Sequence, residues 1–502
     1  MHRGPGRNLP DDAIKQPRIV FRHKERIPLR SIARLTDPRL PLRDPNLPRL
    51  RNARSLRRHH DDDQAADKAT GKDQTDHRKE FKTALELAPG QSCELPPNPL
   101  RPGKLQGKTG TRPMSRFAQP VAITGISLRS CLGSAAVDHV TALHAARSGL
   151  RPLRDHLGSA CALPALPAGW LTSRECLKRR RYGAASNLAV TLAKEALADA
   201  GWSDAEAASA WIFAGSSRGN VGELLGEHHG RRRVAKFAAS NSMHSEIAAA
   251  VSIELGIKGG WQVLSNGCSS GLDALGMAAA MVSAGLAPRA VVVSVDLPLV
   301  PALLADFAST GLLSTNGIND PYAVSTTGFL PAEGGAALLI EPQGQRPTMA
   351  QVHGYWVNSD AWDAVGLPKD GAPIRDLIGE ILEGCPTQKI AICPHASGTA
   401  LHGRAELAAL QAAFPATGGR SASLHLMKPF TGHTLGASGA VDAAILAAFL
   451  ASKKLPPNLP GLSGGGGALS VPETALSAHD TAVIKISSGM GGHNAAVLMT
   501  MG

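Results

Sequence analysis

The sequence has no C-x-x-C pair, no run of about 18 uncharged apolar residues, and few aromatic rings. Each shortage removes a class of protein. Seven cysteines stand at positions 93, 131, 161, 176, 268, 385 and 393. They are odd in number and scattered, which argues against a disulfide framework or a paired-cysteine zinc site. Free thiols in a reducing cytoplasm are the simplest reading. Without a long apolar run, no membrane-spanning helix is expected. The first ten residues lack the apolar core of a secretory signal. Aromatic residues make up 4% of the chain, against 43% for all hydrophobic types and 53 glycines. That balance suits an α/β protein rich in small residues. At 502 residues, length alone allows two to four domains.

Net charge is nearly absent from most of the chain. The net charge is +12, but residues 1–113 hold 25 Lys and Arg against 14 Asp and Glu, while the remaining 389 residues hold 28 against 27. The basic character therefore belongs to the N-terminal stretch, and the near-neutral body gives no reason to expect a nucleic-acid partner. Residues 1–113 are rich in Pro, Arg and Asp and show no lasting period. Such a composition buries too little apolar surface to offset chain entropy, so disorder is expected there. A basic arm for an anionic polymer or membrane is one reading. The other is an extension upstream of the native start, since Met114 stands directly before the first apolar strand.

From Gln119 the texture changes. Val121–Gly125 reads as a buried strand, Ala185–Gly201 as an amphipathic helix, and Trp211–Gly215 as a short strand. Asn241–Gly256 reads as one helix. Ala290–Asp296 is a β-branched run of the kind found in central parallel strands. Lys389–Cys393, Thr481–Ile486 and Ala495–Met499 read as further strands, and Ala437–Ala451 as a helix. Arg231-Arg232-Arg233 reads as a solvated turn or as a contact for an acidic partner.

The most informative stretch runs from Gly259 to Leu275, with Asn266-Gly267-Cys268-Ser269-Ser270 at its centre. Leu272, Leu275, Ala279 and Val282 fall on one helical face, which places Cys268 at a helix N-terminus. Free backbone N–H groups there favour a thiolate. Taken alone, Cys268 reads equally well as a buried structural thiol. Three downstream blocks weigh toward chemistry: Pro394-His395-Ala396-Ser397-Gly398-Thr399, Lys428 to Gly439 with His433, and the turn Ser488-Gly489-Met490-Gly491-Gly492-His493. A lone histidine among 18 is ordinarily structural, and His493 is read so. His395 and His433 each sit in a loop of small residues.

The order and content of these blocks resemble the β-ketoacyl-[acyl carrier protein] synthases of the thiolase-like condensing enzymes, of the elongating Cys-His-His type. The resemblance runs from about Val121 to the C-terminus. It implies an α/β fold of thiolase-like α-β-α-β-α layers built from two duplicated halves, here 114–345 with the nucleophile and 346–502 with both histidines, preceded by the disordered segment 1–113. It implies Cys268, His395 and His433 as catalytic, Lys428 and Glu406 as supporting, the N–H groups of Cys268 and Met490 as an oxyanion hole, and Ser397 and Thr399 as contacts for pantetheine. It implies an acyl carrier protein as partner, a homo- or heterodimer, no metal, and no cofactor beyond the carrier's own phosphopantetheine. The implied reaction elongates a fatty-acid or polyketide-type chain by two carbons. The alternative is a chain-length-determining partner subunit, which Cys268 argues against because such subunits usually lack the cysteine.

This chain departs from the family pattern in three places. An aromatic-Asp pair and an Arg-Asp-Gly are replaced by Tyr322-Ala323 and Thr326-Thr327-Gly328. An Asp before Glu406 is replaced by Gly403, flanked by His402 and Arg404. The gate position between two glycines holds Met490 in place of Phe. Methionine is unbranched and adaptable, so a softer gate is expected to change acyl selectivity. Acyl transfer to Met490→Phe should therefore show a shifted preference across a panel of acyl lengths; an unchanged profile removes Met490 as a selectivity element.

Overall fold

The structure is a computed structural model and describes residues 116–502 apart from 159–160, 162, 179–180, 226–236 and 418. The expectation of disorder over 1–113 and the Arg231–Arg233 cluster lie outside the described residues. The principal elements of the first half are β1 (Arg116–Arg129), α1 (Ala184–Ala200), β2 (Trp211–Gly215), β3 (Trp261–Leu264), α2 (Ser270–Ser283), β4 (Ala290–Asp296) and β5 (Gly334–Pro342). Those of the second are β6 (Ala350–Ser359), β7 (Lys389–Cys393), α3 (Ala400–Ala413), β8 (Ser421–Leu424), α4 (Ser438–Ala451), β9 (Leu469–Ser470), β10 (Thr481–Gly489) and β11 (His493–Met501).

The strands hydrogen-bond in the order β9-β8-β7-β10-β11-β6-β1-β5-β4-β2-β3. In the first half, β1, β5 and β4 are antiparallel neighbours, while β4, β2 and β3 are parallel. In the second, β6, β11 and β10 are antiparallel, while β10, β7 and β8 are parallel. Setting the short β9 aside, each half lays down first, fifth, fourth, second and third strand in that order. The repeat is thus in the connectivity, although no repeat is visible in the residues. The halves join where β1 pairs antiparallel with β6.

Burial explains why the central strands read as unbroken apolar runs. Along β4, Ala290 and Val292 pack into one apolar cluster with α2 and α4, while Val291, Val293 and Val295 pack into a second with α1. Along β7, Ala391 and Cys393 join the α2/α4 cluster, while Ile390 and Ile392 join a third on the far side. With a side-chain period of two, a strand buried on both faces is apolar at most positions, and the polar side chains it keeps, such as Ser294 and Asp296, are hydrogen-bonded. The result is five layers, helix, sheet, helix, sheet, helix, with α2 and α4 in the middle.

The middle layer positions the site. α4 is buried around nearly its whole circumference, as expected of a helix apolar on every side. It meets α2 through glycine. A Cβ on Gly439 would stand 2.7 Å from Leu272 Cβ, and one on Gly271 would stand 2.8 Å from Gly436 O. Two equivalent helices thereby bring their N-terminal turns together.

One expected element differs. The helix expected over Asn241–Gly256 is broken into Ala238–Asn241 and Glu246–Leu255. Asn220 Nδ2 donates to Asn241 O at 2.8 Å, and the Ser240-Asn241-Ser242 run favours turns over helix interior. Among the described residues, no helix is long and apolar enough to cross a membrane. Gly439→Ala is expected to cost about 1–3 kcal/mol by overpacking and to lower the thermal midpoint by several degrees. Gly379→Ala, where an added Cβ meets nothing within 4 Å, is the control and should not destabilise.

Candidate active site

Cys268 lies in a 3₁₀ turn, Gly267–Ser269, that runs directly into α2. Gly267 has φ +60°, a conformation glycine adopts without strain. The turn is tied to its helix by side chains: Asn266 Nδ2 and Ser269 Oγ each donate to Asp273 Oδ2 at 2.9 Å. Tyr355 of β6 donates to Asp273 Oδ1 at 2.6 Å, and His493 of β11 stands 3.0 Å from the same oxygen. His493, read as structural, thus clamps the nucleophile turn. A Cβ on Gly489 would stand 2.4 Å from Asn266 O, and one on Gly267 would stand 3.4 Å from Met490 N. The glycine-rich turn therefore presses on the cysteine turn, setting the Cys268 and Met490 amides side by side.

His395 sits just past the C-terminal end of β7. Its backbone N–H and that of Ala396 both donate to Glu406 of α3, at 2.7 and 2.8 Å, and the Tyr322 hydroxyl donates to the same carboxylate at 2.9 Å. His433 precedes α4 and is zipped to the segment before β5: its N–H donates to Leu330 O at 2.8 Å and its O accepts from Ala332 N at 3.0 Å. The two imidazoles meet edge to face, with centroids 5.3 Å apart. Cys268 Sγ and one ring nitrogen of each histidine all lie within 4.8 Å of one another.

Below His395 lies a buried charge network. The Lys428 ammonium donates to His395 O and stands 3.7 Å from Asp442 of α4. Lys485 of β10, fully buried, pairs with Asp442 at 2.8 Å and donates to Ile486 O at 2.8 Å and Pro394 O at 3.3 Å. Lys428 thus supports His395 through the main chain, and its carboxylate partner is Asp442. Glu406 acts on the same loop from the other side. Asp442 and Lys485 were not singled out from the sequence. Each is a lone charge in an otherwise apolar element, and that signal would have found them.

The sulfur and both rings line a cavity of about 360 Å³ together with Ser397, Thr399, Met490, His402, Arg404 and Arg218. The Ser397 and Thr399 hydroxyls lie 3.1 Å apart. The loop that lacks the family's charged anchors is held by other contacts: Thr326 Oγ1 donates to Gly398 O at 3.0 Å, Asn319 Nδ2 to Pro429 O at 2.8 Å, and Asp320 Oδ2 accepts from Ser463 N at 2.9 Å. Gly403 stands where a side chain has no room, since a Cβ there would lie 2.6 Å from Pro321 O.

Residues 118–345 match the family description "Beta-ketoacyl synthase, N-terminal domain", and residues 349–461 match "Beta-ketoacyl synthase, C-terminal domain". The chain belongs to the β-ketoacyl synthase family. It is 27% identical over 417 residues to the granaticin polyketide putative beta-ketoacyl synthase 1 of Streptomyces violaceoruber, covering 76% of this chain and 97% of that one. It is 26% identical over 403 residues to the 3-oxoacyl-[acyl-carrier-protein] synthase 2 of Mycobacterium bovis, covering 75% and 96%. Among solved structures, a type II polyketide synthase acyl-carrier protein in complex with its ketosynthase superposes with TM-score 0.65 at 22% identity, covering 77% of this chain and all of that one. A ketosynthase from the Bacillus subtilis bacillaene synthase does so with TM-score 0.66 at 19% identity, covering 76% and 72%. These two show the same fold.

Electrostatics in this β-ketoacyl synthase follow from burial. Both site imidazoles are held well below the usual histidine range, first by desolvation and then by the Lys428 charge. They are neutral at pH 7. Burial pushes the Cys268 thiol up to about 11, against the opposing pull of Lys428 and Arg218. Against the expectation of a thiolate at the helix N-terminus, desolvation favours the protonated thiol, which stands beside two neutral imidazoles. Cys-His-His is also a donor set for a soft metal, but two buried ammonium groups behind His395 disfavour a further dication.

Histidines buried elsewhere behave alike. His139 and His425 are each lowered to about 4 by desolvation. Below about pH 6.5 the unfolded chain binds protons that the folded chain refuses, so stability falls as pH drops toward the folded values. Each such histidine is expected to cost roughly 2 kcal/mol between pH 6.5 and 5. Thermal midpoints measured across that range should fall steeply, and His425→Gln should flatten the slope; a midpoint independent of pH would overturn the assignment of buried neutral rings.

Proposed function

We propose that this β-ketoacyl synthase performs a decarboxylative Claisen condensation, with Cys268 as acyl carrier and His395 and His433 as the decarboxylating pair. The observation that carries this reading is the meeting of sulfur and both imidazoles at one cavity wall. Nδ1 of each ring is buried without a partner, which leaves Nε2 as the nitrogen turned to the cavity. A buried lone pair costs less than a buried unpaired N–H, so the tautomer assigned carries its hydrogen on Nε2.

In the first half-reaction the Cys268 sulfur attacks the acyl thioester as its proton leaves for the departing pantetheine sulfur. The adjacent amides of Cys268 and Met490 hold the oxyanion. The C–S bond to the carrier's pantetheine breaks, and the departing sulfur takes the proton. In the second, both Nε2–H groups donate to the malonyl thioester oxygen. The carboxylate leaves as carbon dioxide, and its electron pair becomes an enolate held by the two donors. The enolate carbon attacks the acyl carbonyl on Cys268, a C–C bond forms, and the sulfur departs as thiolate and takes a proton from solvent water. Neutral imidazoles suit this work because they donate a hydrogen bond without having to shed a charge afterwards.

Lys428, with Lys485 and Asp442, and Glu406 position the His395 loop. In this reading Ser397 and Thr399, whose hydroxyls line the cavity, hold the pantetheine arm. The division proposed is 114–345 for the nucleophile half and 346–502 for the histidine half. The partner proposed is an acyl carrier protein presenting phosphopantetheine, with no further cofactor, in a dimer acting in the cytoplasm. Cys268→Ala is expected to lose acyl loading and condensation by about 10³-fold or more, yet to keep malonyl decarboxylation, because the imidazole pair remains. His433→Ala should lose decarboxylation by about 10²–10³-fold, while its Cys268 still takes a thiol-directed label. Mass mapping of the acylated peptide decides the point: an acyl group absent from Cys268 overturns the reading.

A further inference from the structure

Arg218 lines the cavity and has no role in the reaction above. Arg218 follows β2 in a turn that is fixed by its backbone. Asp296 accepts from Arg218 N at 3.0 Å, from Ser217 N and Oγ, from Ser216 Oγ and from Gly436 N. That carboxylate is fully used by the turn, and no other carboxylate among the described residues pairs with the guanidinium. The side chain lies across Phe307, with its guanidinium carbon 5.3 Å from the ring centroid. Its Nε is buried without a hydrogen-bond partner. Arg218 is half-buried and lines the same cavity as Cys268, next to Phe307, Leu312 and Leu435.

The wall between Arg218 and the histidines is continuous. Phe307 stands edge-on to Phe329 at 5.4 Å, Phe329 edge-on to His433 at 5.3 Å, and His433 edge-on to His395 at 5.3 Å. A chain attached to Cys268 and laid along these rings passes over the guanidinium. A saturated alkyl chain would strip water from its N–H groups and offer nothing in return. Leaving a buried donor unpaired costs about 1–3 kcal/mol, and more when it is charged. An oxygen on the chain would accept those hydrogens, with charge assistance.

We propose that Arg218 selects the acyl group: the site takes chains bearing a hydrogen-bond-accepting oxygen, keto or carboxylate, in preference to saturated alkyl chains. This rests on the reading that Cys268 carries the acyl group. The test is the rate of Cys268 acylation, followed by intact mass, with octanoyl pantetheine, its 3-, 5- and 7-oxo analogues, and the ω-carboxy analogue. At least one oxygenated donor is expected to load at least about tenfold faster than octanoyl, the equivalent of one satisfied hydrogen bond. The keto and carboxylate arms show which acceptor is preferred. In Arg218→Met the ratio should collapse toward one, and Arg218→Lys should restore part of it. Equal loading of all donors by the unmodified chain, or a ratio unchanged in a folded Arg218→Met, overturns this proposal alone. A chain that takes no donor onto Cys268 overturns the functional reading with it.

Discussion

Two buried helices touching through glycine are the constraint on which the site depends. α2 and α4 occupy equivalent places in the two halves, and each is preceded by a reactive residue, Cys268 or His433. A methyl group at Gly271 or Gly439 would force the helices apart. Their close approach brings two N-terminal turns to one point, and the C-terminal end of β7 delivers His395 to the same place. Open α/β sheets commonly put their chemistry at strand ends of this kind. Here the duplication supplies two such ends facing each other.

The second constraint is charge buried under that point. Lys428 and Lys485 share Asp442 and hold successive carbonyls, those of His395 and Pro394. Glu406 takes the two amides on the other side of the same loop. A buried ion pair is a weak source of stability, because desolvation offsets its Coulomb gain. Its value here is geometric and electrostatic. The loop is gripped from both sides, and the positive charges help keep neighbouring imidazoles neutral. The same burial that makes the imidazoles neutral favours the protonated thiol, so the sulfur must shed its proton when it reacts.

Much of the fold was legible in the residues. β-branched runs such as Ala290–Asp296 appear as strands at the expected bounds, because burial on both faces leaves no other pattern. The helix ending at Gly201 ends there, with φ +65°, because glycine adopts the left-handed cap. The Ser240-Asn241-Ser242 run hinted at the split at Asn241, but the contact that fixes it, Asn220 reaching across from a distant turn, was not legible. The internal duplication was invisible for a related reason: connectivity repeats while side chains have diverged to fit different neighbours.

The local blocks around Cys268, His395 and His433 were readable because small residues and glycines mark places where backbone must come close. Sequence alone determined which residue types were candidates for the chemistry, since the cysteine and both histidines stand in blocks of small residues. Only tertiary structure decided their states and helpers. Whether the thiol is charged, which carboxylate Lys428 meets, that Lys485 stands beneath the histidine loop, and that Arg218 lines the same cavity as Cys268 all depend on distances between residues far apart in the chain. Burial and Coulomb terms act through space, and periodicity carries no record of them.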